Sequence, residues 1–137
     1  MTTLPTDSVQ GDSAREPTIE VRVKSTYIPE QSRPAEKRYV YAYTVTISNS
    51  GDRPAQLIGR HWRISDARDQ TQEVRGAGVV GEQPLLKPGE EFTYTSGVIL
   101  PTQTGTMEGS YHMQTEDGQE FDTRIPLFAL VPPQSIH

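Results

Sequence analysis

The chain has 137 residues, 33% of them hydrophobic, and a formal net charge of −5 at pH 7. The length fits one domain that can bury roughly two thirds of its unfolded surface. The acidic balance argues against general binding to nucleic acid or anionic membranes, whose affinity rests on Lys and Arg, and the absence of cysteine excludes disulfides, thiolate catalysis and cysteine-based zinc sites.

The N-terminal segment, residues 1–17, is rich in Thr, Ser, Asp, Gly and Pro and has no hydrophobic periodicity. This composition predicts a flexible polar tail. It contains no apolar run long enough for the core of a signal peptide, and no stretch of about 18 apolar residues occurs in the sequence. We therefore expect a cytoplasmic protein that does not insert into a membrane. The folded domain is predicted over residues 18–131, followed by a C-terminal tail over residues 132–137.

Seven strands are predicted from alternating apolar side chains and from clusters of β-branched and aromatic residues. The first begins at residue 18, and the others span residues 38–48, 55–65, 72–75, 91–97, 106–115 and 120–130. The second strand is the strongest, since Tyr39, Tyr41, Tyr43, Val45 and Ile47 share one face.

The third predicted strand places Ile58, Trp62 and Ile64 on a common face that Arg60 interrupts. The last predicted strand contains Pro126, which predicts an edge strand or a bulge because proline cannot donate to the ladder.

Short strands at regular spacing, with turn residues between them, predict an all-β, immunoglobulin-like or fibronectin type III-like sandwich of about seven antiparallel strands. Tyr111 precedes Met113 by two residues in the sixth predicted strand, the spacing of a Tyr and a disulfide Cys in antibody domains. Trp62 lies in the third strand, where such domains often bury a Trp. A closed all-β barrel is the main alternative.

The segment Gly76-Ala-Gly-Val-Val-Gly81 matches the glycine fingerprint of dinucleotide-binding folds. In those folds a helix follows the glycines, and its N-terminus holds a pyrophosphate. Here Pro84 limits any helix that starts near Val79 to about one turn. We therefore expect the glycines to form bends or bulges at the rim of a sandwich, where positive φ angles are needed.

An alternative for the same segment is an anion site, in which consecutive backbone N–H groups surround a phosphate or pyrophosphate. Five arginines against three acids between Arg53 and Arg75 make this stretch locally positive in an acidic protein. The hypothetical ligand-binding residues are Gly76, Gly78, Gly81, Arg60 and Arg75. The hypothetical surface for a protein partner consists of Arg60, His61, Arg63 and Arg75.

Catalytic and metal-ligating patterns are absent from the sequence. No nucleophile lies in a recognisable elbow and no paired carboxylates stand out, so no catalytic residues, cofactors or metal ligands are assigned. His61, His112 and His137 are not spaced as metal ligands. Asp66, Asp69 and Glu73 could offer oxygen ligands to a hard cation, although a polar turn explains these acids as well.

Several blocks of the sequence together resemble the ApaG family. The resemblance extends over about residues 18–131 and rests on blocks that occur in the family's order: Gln56-Leu-Ile-Gly-Arg-His-Trp62, Val74-Arg-Gly-Ala-Gly-Val-Val-Gly-Glu-Gln-Pro84, Lys87-Pro-Gly89, Tyr94-Thr-Ser-Gly97 and Gly105-Thr-Met-Glu-Gly-Ser-Tyr111.

The resemblance implies a fibronectin type III-like sandwich. The sandwich pattern and the lack of a catalytic pattern predict a non-enzymatic binding module. Bacterial members are associated with cobalt resistance and magnesium efflux, and by genomic neighbourhood with a diadenosine tetraphosphate hydrolase and a ribosomal RNA methyltransferase. In eukaryotes the domain occurs within F-box and polymerase-interacting proteins. The resemblance transfers the glycine fingerprint as Gly76, Gly78 and Gly81 but no catalytic residue. A protein partner is therefore expected, with a nucleotide, pyrophosphate or divalent metal ion as alternative ligands.

Overall fold

The computed structural model describes residues 18–133. The predicted N-terminal tail and residues 134–137, including His137, lie outside the described residues. The described part contains eight strands and two short 3₁₀ turns, Pro29–Gln31 and Pro34–Glu36, which follow the first strand. The strands are β1 (Ile19–Tyr27), β2 (Tyr39–Asn49), β3 (Ala55–Asp66), β4 (Thr71–Ala77), β5 (Leu85–Leu86), β6 (Glu91–Leu100), β7 (Gly105–Thr115) and β8 (Glu120–Leu130).

Two antiparallel sheets form the sandwich. One has the order β1-β2-β6, and the other has the order β4-β3-β7-β8 with β5 paired to β3. The predicted fibronectin type III-like sandwich is confirmed, and the sheets have separate edges instead of closing into one barrel. The strand β5 was not predicted, because two residues are too few to show an alternating pattern.

The core lies between the sheets, and the predicted inward face of β2 is confirmed by its buried residues Tyr41, Val45 and Ile47. Trp62 of β3 is also buried, with 2% of its surface exposed. Its ring makes edge-to-face contacts with Tyr43 and Phe128, at centroid distances of 5.3 and 6.0 Å. Trp62 therefore contacts both sheets, since Tyr43 belongs to β2 and Phe128 to β8.

The predicted face of β3 is wrong in its first half. The pairing with β7 passes from Leu57 opposite Met113 to Gly59 opposite His112, so Ile58 is an extra residue in a β-bulge. The bulge reverses the alternation of side chains, and Leu57 is buried in the core while Ile58 is only half-buried. The sequence pattern gave no sign of the bulge, because Leu57 and Ile58 are both apolar.

The prediction for Pro126 is confirmed. The strand β8 is an edge of its sheet, and between Met107 opposite Phe128 and Gly109 opposite Ile125 two residues of β8 face one residue of β7. Pro126 is one of the two bulged residues, so it does not interrupt a regular ladder.

One side of the sandwich is closed by contact between the edge strands β1 and β8. The Ser25 hydroxyl of β1 donates a hydrogen bond of 2.9 Å to the Ala129 carbonyl of β8. The edge strands of the opposite side are β4 and β6.

Candidate functional site

The glycine segment forms a turn between β4 and β5. Backbone hydrogen bonds between Val79 and Glu82, in both directions, close a tight hairpin around Val80 and Gly81. Val80 has a φ of 43° and Gly81 a φ of 81°. Positive φ at both central residues is the geometry of a type I′ turn. The predicted absence of a helix after Val79 is confirmed.

At each position of the fingerprint, a side chain is disfavoured for a different steric reason. A Cβ on Gly76 would lie 2.8 Å from atoms of the Arg60 guanidinium. A Cβ on Gly78, whose φ is +62°, would lie 2.2 Å from the Glu82 carbonyl oxygen. A Cβ on Gly81 would meet no neighbouring atom, but Gly81 adopts the positive φ that the turn requires. The spacing of the three glycines is thus accounted for by the hairpin and by Arg60 alone.

Arg60 stabilises this hairpin from β3. Its Nη1 atom donates hydrogen bonds of 3.0 Å to the Ala77 carbonyl and 2.9 Å to the Gly78 carbonyl. The backbone N–H groups of Gly78, Val79 and Glu82 donate to carbonyls within the protein. The hairpin therefore uses several of the amides that an anion-binding nest would need.

A shallow pocket of about 330 Å³ opens on the outer face of the five-stranded sheet, and we call it the outer pocket. Its lining brings together three predicted surface residues, Arg60, His61 and Arg75, with Gly76 of the fingerprint. The fourth predicted surface residue, Arg63, is exposed on β3 but does not line the pocket. The remaining lining residues are Gly59, Ser110, His112 and Asp122.

The predicted residues His61 and Arg75 both approach Glu73. His61 Nε2 lies 2.8 Å from Glu73 Oε1, and Arg75 Nη2 lies 3.7 Å from the same oxygen. The hydrogen bond from His61 is the main cause that lowers the pKa of Glu73, with smaller contributions from nearby charges. The Arg75 side chain is 72% exposed, and within residues 18–133 this long contact is its one ion pair, so its guanidinium is accessible to a partner.

On the other side of the outer pocket, His112 is bonded to two carboxylates of β8. Its Nδ1 lies 2.9 Å from Asp122 Oδ1, and its Nε2 lies 2.8 Å from Glu120 Oε1. The hydrogen bond to Asp122, followed by that to Glu120, raises the pKa of His112. This cluster was not predicted from the sequence, because His112 and Asp122 come to lie directly opposite each other only in the β7–β8 register.

The acids considered as cation ligands have structural roles. Asp66 Oδ1 accepts hydrogen bonds from the backbone N–H groups of Arg68 and Gln70, at 2.8 and 3.0 Å. Asp69 has a φ of 64°, and Glu73 is bonded to His61. Among residues 18–133, no group of three or more His, Cys, Asp or Glu side chains is arranged to hold a metal ion.

Tyr111, noted for its spacing to Met113, is fully buried and its hydroxyl is bonded to that of Tyr94. Unlike Tyr111, Tyr41 bonds to the backbone: its hydroxyl donates a hydrogen bond of 2.5 Å to the Gln103 carbonyl in the loop between β6 and β7.

In the described part of the chain, no helix is long and apolar enough to cross a bilayer.

Comparisons with known proteins agree with this fold. The profile of the ApaG domain matches residues 29–115. The chain is 56% identical to Protein ApaG of Pseudomonas aeruginosa strain LESB58 over 87% of its own length and 94% of the relative. Protein ApaG of Thiobacillus denitrificans is 57% identical with the same coverage.

A crystal structure of a Bordetella pertussis protein named ApaA is similar to this structure, with a TM-score of 0.84 and 53% identity. The match covers 86% of this chain and 96% of that chain. A second X-ray structure, a structural genomics target called SoR45, has a TM-score of 0.82 and 46% identity over 87% of this chain and 90% of its own.

Proposed function

The chain belongs to the ApaG domain family, and from its surface chemistry we propose that it is a non-enzymatic binding module for an acidic protein partner. The contact surface consists of Arg60, His61, Arg63 and Arg75, on and beside the outer pocket. The observation that carries the proposal is the exposed guanidinium of Arg75 at the mouth of a pocket formed by paired strands.

The strands fix the positions of these side chains before a partner arrives. His61 and Arg75 lie directly opposite each other in the β3–β4 register, and Arg63 lies opposite Glu73. Rigid placement lowers the entropy lost on association, and complementary charges favour encounter with an acidic surface. Arginine suits this role because its planar guanidinium binds carboxylates with two parallel hydrogen bonds.

The proposal is tested with an Arg63→Glu/Arg75→Glu variant, which reverses two exposed charges and leaves the hairpin contacts of Arg60 intact. Wild type and variant are used for affinity capture from cytoplasmic extract, followed by quantitative mass spectrometry. An Arg22→Glu/Lys24→Glu variant, which reverses two exposed charges on β1, is the matched control. We expect specific partners to be lost only with the first variant. Identical sets of captured proteins for all three would refute the proposed surface.

A second candidate ligand is a pyrophosphate or dinucleotide held in the outer pocket. The lining of this pocket by Gly76, Arg60 and Arg75 supports it. Since the Gly78 amide donates to the Ile58 carbonyl of β3 and the Val79 amide to the Glu82 carbonyl, the side chains would carry most of the anion recognition. Titration with diadenosine tetraphosphate, followed through backbone amide shifts, tests this candidate. Shifts at Gly59 and Gly76 at millimolar ligand would support it, and unmoved signals would exclude it.

Direct binding of cobalt or magnesium stays a prediction from the family resemblance. Isothermal calorimetry with Co²⁺ and with Mg²⁺, on wild type and on His61→Ala, tests it. Heat of binding in wild type that is lost in the variant would support a site at His61, and absence of heat in wild type would rule out direct binding.

A further inference from the structure

The open side of the sandwich, between the edge strands β4 and β6, forms a groove with three compartments. The first has a volume of about 180 Å³ and lies between Arg60 and Tyr94. The second, of about 450 Å³, lies between Val74 and Val98. The third, of about 200 Å³, lies between Gln72 and Leu100. The compartments follow one another along β6, and we call them together the inter-sheet groove.

The strand β6 is the least protected edge of the sandwich. Natural edge strands are usually blocked by charges, proline, a bulge or a covering element. The strand β1 alternates charged residues and packs on β8, β8 carries Pro126 and a bulge, and β4 carries Glu73 and Arg75. From Phe92 to Leu100, β6 has no charge and no proline, and its pairing with β2 continues without a register shift.

The side chains along the groove change from polar to apolar. The middle compartment is lined by apolar groups that include Val74, Val98 and Ile99, and Ile99 is 49% exposed. The first compartment presents the hydroxyl-bearing residues Tyr43, Tyr94 and Ser96 together with Arg60. An extended chain in this groove would therefore meet a polar end and an apolar middle.

The charged side chains that line the groove determine which kind of ligand it can bind. Among residues 18–133, the charged residues that line the groove are Arg60 in the first compartment, Arg38 in the second and Asp66 in the third. The Asp66 carboxylate accepts hydrogen bonds from the backbone N–H groups of Arg68 and Gln70, so the two arginines set the charge offered to an occupant. Both hydrogen bonds that join Arg60 to the hairpin come from Nη1, and a guanidinium carries five N–H donors. In the described part of the chain the other donors of Arg60 have no hydrogen-bond partner, so they can reach a carboxylate in the first compartment.

We propose that the inter-sheet groove binds an extended acidic peptide of a partner protein, which adds to the β6 edge as an antiparallel strand. Backbone hydrogen bonds to the edge supply affinity, and alternate side chains that enter the compartments supply specificity. Every pairing within the two sheets is antiparallel, and an antiparallel peptide runs from the Leu100 end of β6 to the Tyr94 end.

The direction and the period of a strand define a sequence pattern for the peptide. Residues opposite Leu100, Val98 and Ser96 share the inward face, so the inward positions of the peptide are two residues apart. The first two are apolar and the third is Asp or Glu, which reaches Arg60. The outward positions are polar, since they continue the face on which Thr44 and Thr95 hydroxyls are bonded at 2.8 Å.

This site is separate from the outer pocket of the proposed function, and only Arg60 lines both. The two proposals therefore fail independently. An effect of peptide on β6 amides reports on the inter-sheet groove, whereas loss of partners in Arg63→Glu/Arg75→Glu reports on the outer face.

The test uses the full chain and the acetylated, amidated heptapeptide TVTLTET, with TVTLTKT as the matched control. Backbone amide shifts and hydrogen exchange are followed during titration to 5 mM peptide. We expect TVTLTET to protect amides of β6 and to bind about fivefold more tightly than TVTLTKT, the size of effect expected for a partly exposed ion pair. In Arg60→Gln, which removes the partner of the acid, the preference should shrink, whereas in Arg22→Glu it should stay as in wild type.

Three results would overturn the proposal. One is the absence of binding at 5 mM, or equal binding of the two peptides. Another is concentration-dependent protection of β6 without peptide, which would assign the edge to a second copy of this chain. The third is loss of β6 protection when residues 1–17 are deleted, which would assign the edge to this chain's own N-terminal segment.

Discussion

The hydroxyl oxygens of Tyr94 and Tyr111 lie 2.5 Å apart in the core, so one hydrogen bond joins β6 of the first sheet to β7 of the second. Tyr94 is 7% exposed and Tyr111 is fully buried, and water therefore has little access to either oxygen. The bond satisfies two polar groups that would otherwise be costly inside a hydrophobic core. Its energetic role can be measured by removing the two hydroxyl groups separately and together.

Replacement of Tyr111 by Phe should lower the free energy of unfolding by about 1–3 kcal/mol, because it leaves the Tyr94 hydroxyl buried without its partner. Tyr94→Phe should have a similar effect. The double variant should lose less than the sum of the two, since no orphaned hydroxyl remains. Urea denaturation of the three variants measures the coupling, and strictly additive losses would contradict the proposed role of the bond.

Stability should fall at alkaline pH because of the same pair. Burial raises the pKa of Tyr94 to about 12 and raises the pKa of Tyr111 further above its usual value of 10. As the pH rises, the unfolded chain loses the two phenolic protons before the folded chain does. The contribution of these tyrosines to the free energy of unfolding is therefore complete below pH 10 and is lost as the pH rises beyond it. Each tyrosine contributes a slope of about 1.4 kcal/mol per pH unit.

This alkaline slope is measured by urea denaturation between pH 9 and 11.5. In Tyr94→Phe the slope above pH 10 should decrease, whatever the absolute stability of the variant. An unchanged slope would show that Tyr94 ionises as easily in the folded chain as in the unfolded one.

The three fingerprint glycines should respond differently to alanine. Gly81→Ala should cost about 1–2 kcal/mol through its positive φ alone. Gly78→Ala should cost more, because the Cβ also overlaps the Glu82 carbonyl. Gly76→Ala should displace the Arg60 side chain, and the double variant Gly76→Ala/Arg60→Ala should show a smaller loss than the sum of the single changes. Thermal and urea denaturation give the ranking, which would be wrong if Gly81 were the most sensitive position.

Trp62→Ala should destabilise the protein by about 3–5 kcal/mol, the usual cost of removing a large aromatic side chain from a core. Trp62 contacts Tyr43, Tyr111 and Phe128, so the cavity opens between the sheets. The exposed Arg63 on the same strand provides a comparison, since Arg63→Ala should change stability by no more than about 0.5 kcal/mol. Equal effects of the two changes would be inconsistent with the packing.

His112 should titrate above the usual histidine pKa, because Asp122 and then Glu120 stabilise its protonated form. A raised pKa in the folded state stabilises the fold below the unfolded pKa of about 6.5, and this contribution is lost as the pH rises through the folded pKa. With the His112 side chain 41% exposed, screening keeps the gain below about 1 kcal/mol. Imidazole NMR titration should show the pKa falling in Asp122→Asn, and an unchanged value would contradict the assignment.

The fold was predictable because strand alternation and turn residues are properties of short segments. The faces of β2 and the burial of Trp62 follow from side-chain period alone. The face of Leu57 could not be predicted, since a bulge changes the phase only when β3 pairs with β7. Similarly, Glu73 is twelve residues from His61 in sequence, and their bond exists only in the β3–β4 register.

The candidate site was predictable only in part. The arginines and glycines that share the outer pocket were identified from composition and motif. The role of Arg60 was not, because a residue on the inward phase of a strand is expected to be apolar, and only the structure shows its guanidinium bonded to the hairpin. His112 and Asp122 come from different strands, and nothing in their separate sequence contexts joins them.

The extra residue Ile58 allows Leu57 and Trp62 to face the same core although they are an odd number of residues apart, a spacing that puts side chains on opposite faces of a regular strand. Deleting Ile58 would remove the bulge and leave both residues in phase in a regular ladder. Deleting one residue between Trp62 and Ile64, where the pairing with β7 has no register shift, would instead turn part of β3 to the wrong face. Loops of the same chain should accept changes in length far more readily. Single-residue deletions in this protein should therefore be tolerated between strands and at Ile58, and rejected in the second half of β3.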